Sequence, residues 1–208
     1  PMTIKAGSLW VAYELRNKKL IEKMLPDDYT LAKTKLLQSD PTYDYKLLYN
    51  CYNVNSLFMK GTRLEILTIA KNKCGDPSFV VLDCMSTTLH WNPIDGILLP
   101  NAVGYVCYKN DFLRTFLLTS RGPFLFNGIS KEKKKPTRDF VVKSNNNCFF
   151  KYYPKPVSLT FEEEQVMQPL RNVESTRELI IPWRLIGGKK THTLMHEKDM
   201  MFNATLVM

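Results

Sequence analysis

The stretch of greatest chemical interest is Gly61-Thr62-Arg63-Leu64-Glu65-Ile66-Leu67-Thr68-Ile69-Ala70-Lys71. Its aliphatic character predicts a strand, on which alternate side chains share a face. Arg63 and Glu65 then point the same way as Leu67 and Ile69, while Leu64, Ile66 and Ala70 line an opposite face that is equally apolar. A strand apolar on both sides is buried on both sides or borders a cavity. An unpaired charge in such a place is costly. Arg63 and Glu65 therefore either neutralise one another or a neighbouring strand, or they hold a ligand. In the second role Arg63 clamps an anion through its two-pronged guanidinium, and Glu65, more basic in a dry pocket, moves a proton.

The next strand, predicted over Ser78–His90, repeats the theme. Asp83 shares a face with Phe79, Val81 and Met85, and His90 shares the other with Val80, Leu82 and Cys84. Antiparallel pairing through the Lys73–Pro77 turn brings Asp83 or Ser86 toward Arg63 and Glu65. Asp83, Ser86, His90 and Leu67 are thus the expected ligand contacts. His192, His196 and Glu197 lie close in sequence but lack the third, compactly spaced ligand of a zinc site, so no metal is expected. The nucleotide-binding glycine motifs, the nucleophile elbow and the H-E-x-x-H pair are all missing, and glycine is scarce at 9 residues. No cofactor is expected.

Positioning these groups falls to a chain of 208 residues, 44% hydrophobic and 24% charged, which suits one globular domain over residues 1–208. Predicted strands are Ser8–Glu14, Tyr29–Leu37, Lys46–Asn53, Thr62–Lys71, Ser78–His90, Tyr105–Tyr108, Phe112–Thr119, Arg138–Lys143, Cys148–Tyr153, Val157–Phe161, Glu178–Trp183, His192–Met195 and Asn203–Val207. Turn chemistry is read at Gly187-Gly188. Two helices are predicted. Lys18–Leu25 is capped by Asn17, and Phe161–Leu170 is preceded by Thr160 and carries the acids Glu162, Glu163 and Glu164 in its first turn. So many closely spaced strands imply a mostly β (α+β) protein, a closed or partly closed antiparallel barrel with a few short rim helices.

Twenty-nine Lys and Arg against 20 Asp and Glu leave a net charge of +9. The run from Lys131 to Arg138 concentrates that charge. Lys133, Lys134, Lys135 and Arg138 are its candidate contacts for nucleic acid, an anionic membrane or an acidic protein. This surface supplies the second functional reading beside the cavity. The five cysteines are odd in number and lack C-x-x-C spacing, and the first residues do not resemble a secretory signal; reduced thiols and a cytoplasmic protein are expected. Cys51 and Cys84 read as small buried hydrophobes. No run of eighteen apolar residues marks a transmembrane helix. A homo-oligomer is compatible with the sequence.

Leu15–Leu31 (LRNKKLIEKMLPDDYTL) resembles the opening segment of the acetoacetate decarboxylase-like superfamily, where a strand leads to a short helix, a Leu-Pro step and the next strand. Arg63–Ala102 resembles that family's core through Glu65, the turn with Gly75 and Pro77, Leu82-Asp83, and Leu99-Pro100-Asn101-Ala102. The resemblance covers about half of the chain. It implies a cone-like antiparallel barrel with an interior cavity, and carries over Glu65 as the family-type acid. In the decarboxylases a Pro-Lys-Lys element supplies the amine that forms a Schiff base with the keto acid, its pKa lowered by the adjacent cation and by burial. Pro100-Asn101-Ala102 stands in the corresponding place, and Lys18-Lys19, Lys133–Lys135 and Lys189-Lys190 all sit in polar surroundings. Lys71 shares the face of Arg63 and Glu65 but lies near a turn. The expectation is binding of a keto acid, polyketide-like or lipid-like molecule, with or without acid–base chemistry, and without an imine.

Overall fold

A pattern of short apolar runs separated by turn residues extends through most of the chain. The computed structural model turns it into an almost all-β protein and describes residues 2–37, 39–56, 60–75, 77–92, 96–130, 145–150, 157–161, 167–172 and 183–206. In chain order the elements are β1 (Met2–Ile4), β2 (Ser8–Leu15), α1 (Lys18–Glu22), β3 (Thr30–Leu31), β4 (Lys46–Asn55), β5 (Lys60–Lys71), β6 (Pro77–Ser86), β7 (His90–Asn92) and β8 (Gly96–Leu98). There follow β9 (Ala102–Lys109), β10 (Phe112–Thr119), β11 (Gly122–Ser130), β12 (Asn145–Phe150), β13 (Val157–Phe161), β14 (Met167–Asn172), a 3-10 turn (Trp183–Leu185), β15 (Gly187–His196) and β16 (Met200–Leu206).

Strand pairing runs β4-β5-β6-β12-β13-β16-β1 and returns to β4, antiparallel except where β12 meets β6. β1 and β2 share one edge of β4, and from β2 an arm leaves as β2-β15-β14-β11-β10-β9. The large sheet still ends at β3 and β9, so the barrel is partly closed.

The two faces of the central strands do different jobs. Trp10 on β2 and Phe79 on β6 have ring centroids 5.4 Å apart, although β4 and β5 lie between them. Three strand spacings in a flat sheet would separate them by about 14 Å, so this face is concave. It carries Ala12, Leu48, Leu67, Ile69, Val81 and Leu194. The opposite face carries Leu9, Val11, Leu47, Tyr49, Leu64 and Ile66, which share one core with Leu113, Leu117, Phe124 and Phe126 of β10 and β11. Tyr49 stacks on Phe124 across the two layers at 6.0 Å. The strand holding Arg63 and Glu65 is therefore buried on both sides, as its composition requires.

Local signals explain some elements and mislead on others. Asn17 caps α1 by accepting the Leu20 N–H at 3.2 Å, and the helix buries Ile21, although it stops at Glu22 rather than Leu25. The strand predicted over Ser78–His90 ends at Ser86, bends, and resumes at His90 as β7. The helix predicted over Phe161–Leu170 is overturned at both its ends, residues 162–166 lying outside the described residues. Phe161 closes β13, and Met167–Asn172 is a strand whose first half pairs with β15 and whose second half pairs with β11. Pairing with two long strands outweighs a weak local preference for helix. Gly187-Gly188 opens β15 instead of forming a turn, and Trp183 belongs to a 3-10 turn rather than a strand. β11 has no counterpart among the predicted strands. Arg138–Lys143, residues 151–153 and 178–182, and the basic run with Lys133, Lys134, Lys135 and Arg138 lie outside the described residues.

Candidate functional site

Strand register assembles the site. Across β4 and β5, Tyr52 opposes Arg63 and Asn50 opposes Glu65. Across β5 and β6, Ser86 opposes Arg63 and Cys84 opposes Glu65, while Trp10 of β2 opposes Asn50. Opposed residues share a face. Trp10, Asn50, Glu65 and Cys84 thus form one row on the concave face, with Tyr52, Arg63 and Ser86 in the row beside it.

Tyr52 donates its hydroxyl to Glu65 Oε1 at 2.8 Å, and both are buried, Glu65 at 7% exposure. Arg63 is half-buried next to them. Ser8 donates to Asn50 Oδ1 at 3.2 Å, and Ile4, Val54 and Met200 pack around Tyr52. Burial pushes the Glu65 carboxyl above its ordinary value, and the Arg63 charge and the Tyr52 hydroxyl only partly pull it back. For Arg63, burial works against the charge, but Tyr52, Cys84 and Glu65 outweigh it and raise its value. Burial also lifts the Tyr52 phenol and the Cys84 thiol well up, so both keep their protons. The arrangement offers a fixed cation, a carboxyl of enhanced basicity and a neutral hydroxyl within one apolar enclosure. It can orient an organic anion and exchange one proton with it.

The other expected contacts separate. Leu67 lies on the concave face, fully buried. Asp83 does not turn toward Glu65. A bulge at Leu82 shifts the β5–β6 register so that Asp83 opposes Ile66, on the convex side. There it is fully buried, with Arg121 Nε at 2.6 Å, Trp183 Nε1 donating at 3.0 Å and the Cys84 N–H donating at 3.0 Å. Ser86 does oppose Arg63, but its hydroxyl contacts the Thr62 carbonyl at 3.3 Å and accepts the Thr88 N–H at 3.1 Å. The His90 ring nitrogens each lie 3.1 Å from a carbonyl oxygen, of Thr88 and of Cys84. Burial lowers the His90 pKa against the opposite pull of those carbonyls. Ser86 and His90 therefore brace the end of β6, Ser86 through Thr62 and Thr88 and His90 through the carbonyl that its single N–H meets.

His192 and His196 sit four residues apart on β15. His192 Nε2 meets Asp40 Oδ1 at 2.6 Å, while the other Asp40 oxygen accepts the N–H groups of Leu36 and Leu37. Burial opposes ionisation of Asp40, but those N–H bonds and His192 hold its pKa below the ordinary value. The pair ties the segment bearing Leu36 onto the concave face. Among the described residues no group of three or more His, Cys, Asp or Glu is placed to hold a metal ion. Cys51, Cys74, Cys84 and Cys107 are free thiols.

Sequence reasoning missed Tyr52 and Asn50. The signal was present as Leu48-x-Asn50-x-Tyr52-x-Val54, polar groups inserted into one face of an otherwise apolar strand. It also missed Lys46, the one lysine buried among the described residues. Lys46 shares the strand face of Leu48 and Asn50, four residues and about 13 Å along β4 from the Glu65 row. Lys71 is exposed.

No family model and no curated protein matches the chain. Solved structures do match. The enduracididine biosynthesis enzyme MppR, complexed with the condensation product of pyruvate and imidazole 4-carboxaldehyde, superposes with a TM-score of 0.59 over 99% of this chain and 88% of its own, at 10% identity. An acetoacetate decarboxylase superposes with a TM-score of 0.55 over 100% of this chain and 89% of its own, again at 10% identity. The chain has the acetoacetate decarboxylase-like fold. The likeness extends over the whole length, beyond the half in which the sequence resemblance lies. At the place that resemblance assigns to Pro-Lys-Lys, Asn101 accepts the Ser86 N–H at 2.9 Å and donates its own N–H to the Ser86 carbonyl at 3.0 Å. It secures the end of β6. Among the described residues no helix is long and apolar enough to cross a membrane.

Proposed function

We propose that the concave face of this acetoacetate decarboxylase-like barrel binds a small organic acid of the keto acid class and exchanges a proton with it. Arg63 holds the ligand's carboxylate, Glu65 acts as the base, and Tyr52 keeps the Glu65 carboxyl in place. The observation that carries this reading is the Tyr52–Glu65 hydrogen bond beside Arg63 on a buried, inward-curving face. The pyruvate-derived molecule in the MppR structure supports a ligand of this size and chemistry. A buried carboxyl raised in basicity is suited to lyase- or hydrolase-type acid–base steps.

The mode of chemistry is testable directly. An imine needs a neutral amine within reach of the ligand carbonyl, and Lys46 lies about 13 Å along the strand from the Glu65 row. Borohydride reduction in the presence of pyruvate or acetoacetate is expected to leave the intact mass unchanged. An adduct mapped to Lys46 would replace the acid–base reading with imine chemistry. Native mass spectrometry of the purified protein is expected to show a bound species lost in Arg63→Met; retention in that variant would remove Arg63 from the site.

A further inference from the structure

Exposure falls steadily along the concave side of β5. Arg63 is half-buried, Glu65 is 7% exposed and Leu67 is 1% exposed. Each step on this face advances about 6.8 Å. Neighbouring strands complete the Leu67 row with Val81 of β6, Leu48 of β4, Ala12 of β2 and His192 of β15. Val81, Leu48 and Ala12 are buried as fully as Leu67, and His192 is half-buried. The site is open at Arg63 and closed at Leu67.

Part of that closure comes from outside the sheet. The connection between β3 and β4, described over residues 32–37 and 39–44, starts beside β5, where the Ala32 N–H donates to the Ile69 carbonyl at 3.1 Å. It reaches β15 where Asp40 Oδ1 meets His192 Nε2 at 2.6 Å. β4 and β2 lie between these two anchors, and Ala32 and Leu36 belong to the apolar cluster of the concave face, so the connection passes over β4 and β2 on that side. Thr34 and Asp44 exchange backbone hydrogen bonds at 3.0 and 3.1 Å, and Asp40 Oδ2 accepts the Leu36 and Leu37 N–H groups. Connecting segments normally run over the surface, yet Leu36 is fully buried.

We infer that Leu36, seated by the Asp40–His192 pair, limits the chain length of the acid this site accepts. The inference rests on the reading of the concave face as a keto acid site and adds the residue that selects among such acids. An α-keto acid with its carboxylate on Arg63 and the carbon beyond its carbonyl next to Glu65 sends its alkyl chain toward the Leu67 row, because Arg63, Glu65 and Leu67 follow one another on one face. A methyl or ethyl group ends before that row. A longer chain needs the space that Leu36 fills in the cluster with Leu48 and Leu67. Leu48 and Leu67 are built into the sheet, whereas Leu36 is not, so truncating it enlarges the site without altering strand pairing. Asp40 and His192 are positioning residues, acting only through Leu36.

Calorimetric titration of the full chain with pyruvate, α-ketobutyrate and α-ketooctanoate tests this. The wild type is expected to bind the two short acids and to bind α-ketooctanoate at least about tenfold more weakly. Leu36→Ala should strengthen α-ketooctanoate binding by about tenfold and leave pyruvate within about twofold of the wild type. His192→Ala should move the ratio of long to short acid the same way by less, and it decides the matter if Leu36→Ala does not fold. General destabilisation would weaken all three acids together, so the ratio isolates the effect of Leu36. A wild type that binds none of the three would overturn the keto acid reading itself, and this inference with it. Short acids bound by the wild type with an unchanged ratio in the folded variant would overturn the role of Leu36 alone. A wild type that binds α-ketooctanoate as tightly as pyruvate would overturn the closed end.

Discussion

Glu65→Gln is expected to abolish binding or turnover of the small acid while leaving the fold intact, with a thermal midpoint at pH 7 equal to or above that of the wild type. The sign follows from burial. The Glu65 carboxyl has a raised pKa in the fold, so the protonated form is the one the site favours. Its contribution to stability is present below the ordinary carboxylate value and is lost as pH rises through the raised one. The substituted amide cannot ionise and still accepts the Tyr52 hydroxyl. The variant's stability should therefore change less between pH 4 and pH 8 than the wild type's, with its relative advantage at the upper end. Loss of the base removes a contribution of about 10²–10⁴ to any proton transfer. Tyr52→Phe is the companion variant. It strips the carboxylate of its donor, pushes the Glu65 pKa further up and shifts the alkaline-favouring limb of any pH–activity profile to higher pH. Paired scans of thermal midpoint against pH, with binding measured on the same samples, check both. A Glu65→Gln protein that melts well below the wild type yet binds normally would make the Tyr52–Glu65 pair a structural contact.

The site was legible wherever a single strand held the information. Arg63 and Glu65 share a face because strand period is two, and nothing later in folding alters that. Ser86 opposes Arg63 only through the bulge at Leu82, since the register set by the turn after β5 would place Met85 there. Asp83 departs from its expected place for a reason that one strand cannot display: the extra residue Leu82 is accommodated as a bulge only because β5 and β6 must satisfy pairing on both sides of it. Tyr52 and Asn50 needed the pairing of β4 with β5, a contact between two strands whose alternation was each readable alone. The reversal at Met167–Asn172 is the same lesson in the opposite direction. An acidic stretch after Thr160 reads locally as a helix start, but the unfilled edges of β15 and β11 decide what the chain does. Pattern thus revealed what each strand presents, and tertiary pairing determined which presentations meet.

Asp83→Ala tests the convex side, where the prediction is a large loss of stability and no loss of ligand. Asp83 joins three parts of the molecule: β6 through the Cys84 N–H, the turn after β10 through Arg121, and the 3-10 turn through Trp183. Removing the carboxylate strands three donors. Trp183 is buried and cannot regain water, whereas the Arg121 side chain, at 27% exposure, can partly turn outward. Breaking one partner out of a buried ion pair costs about 3–5 kcal/mol, and the freedom of Arg121 places this case at the low end. At roughly 2–4 °C per kcal/mol for a chain of this size, the midpoint should fall by about 6–12 °C. Asp83→Asn keeps two acceptor contacts and should fall by less. Because the bulge turns this side chain away from Glu65, ligand affinity measured below the new midpoint should match the wild type. An Asp83→Ala protein with an unchanged midpoint and lost affinity would mean that Asp83 serves the ligand after all, and that the register shift at Leu82 does not hold in solution.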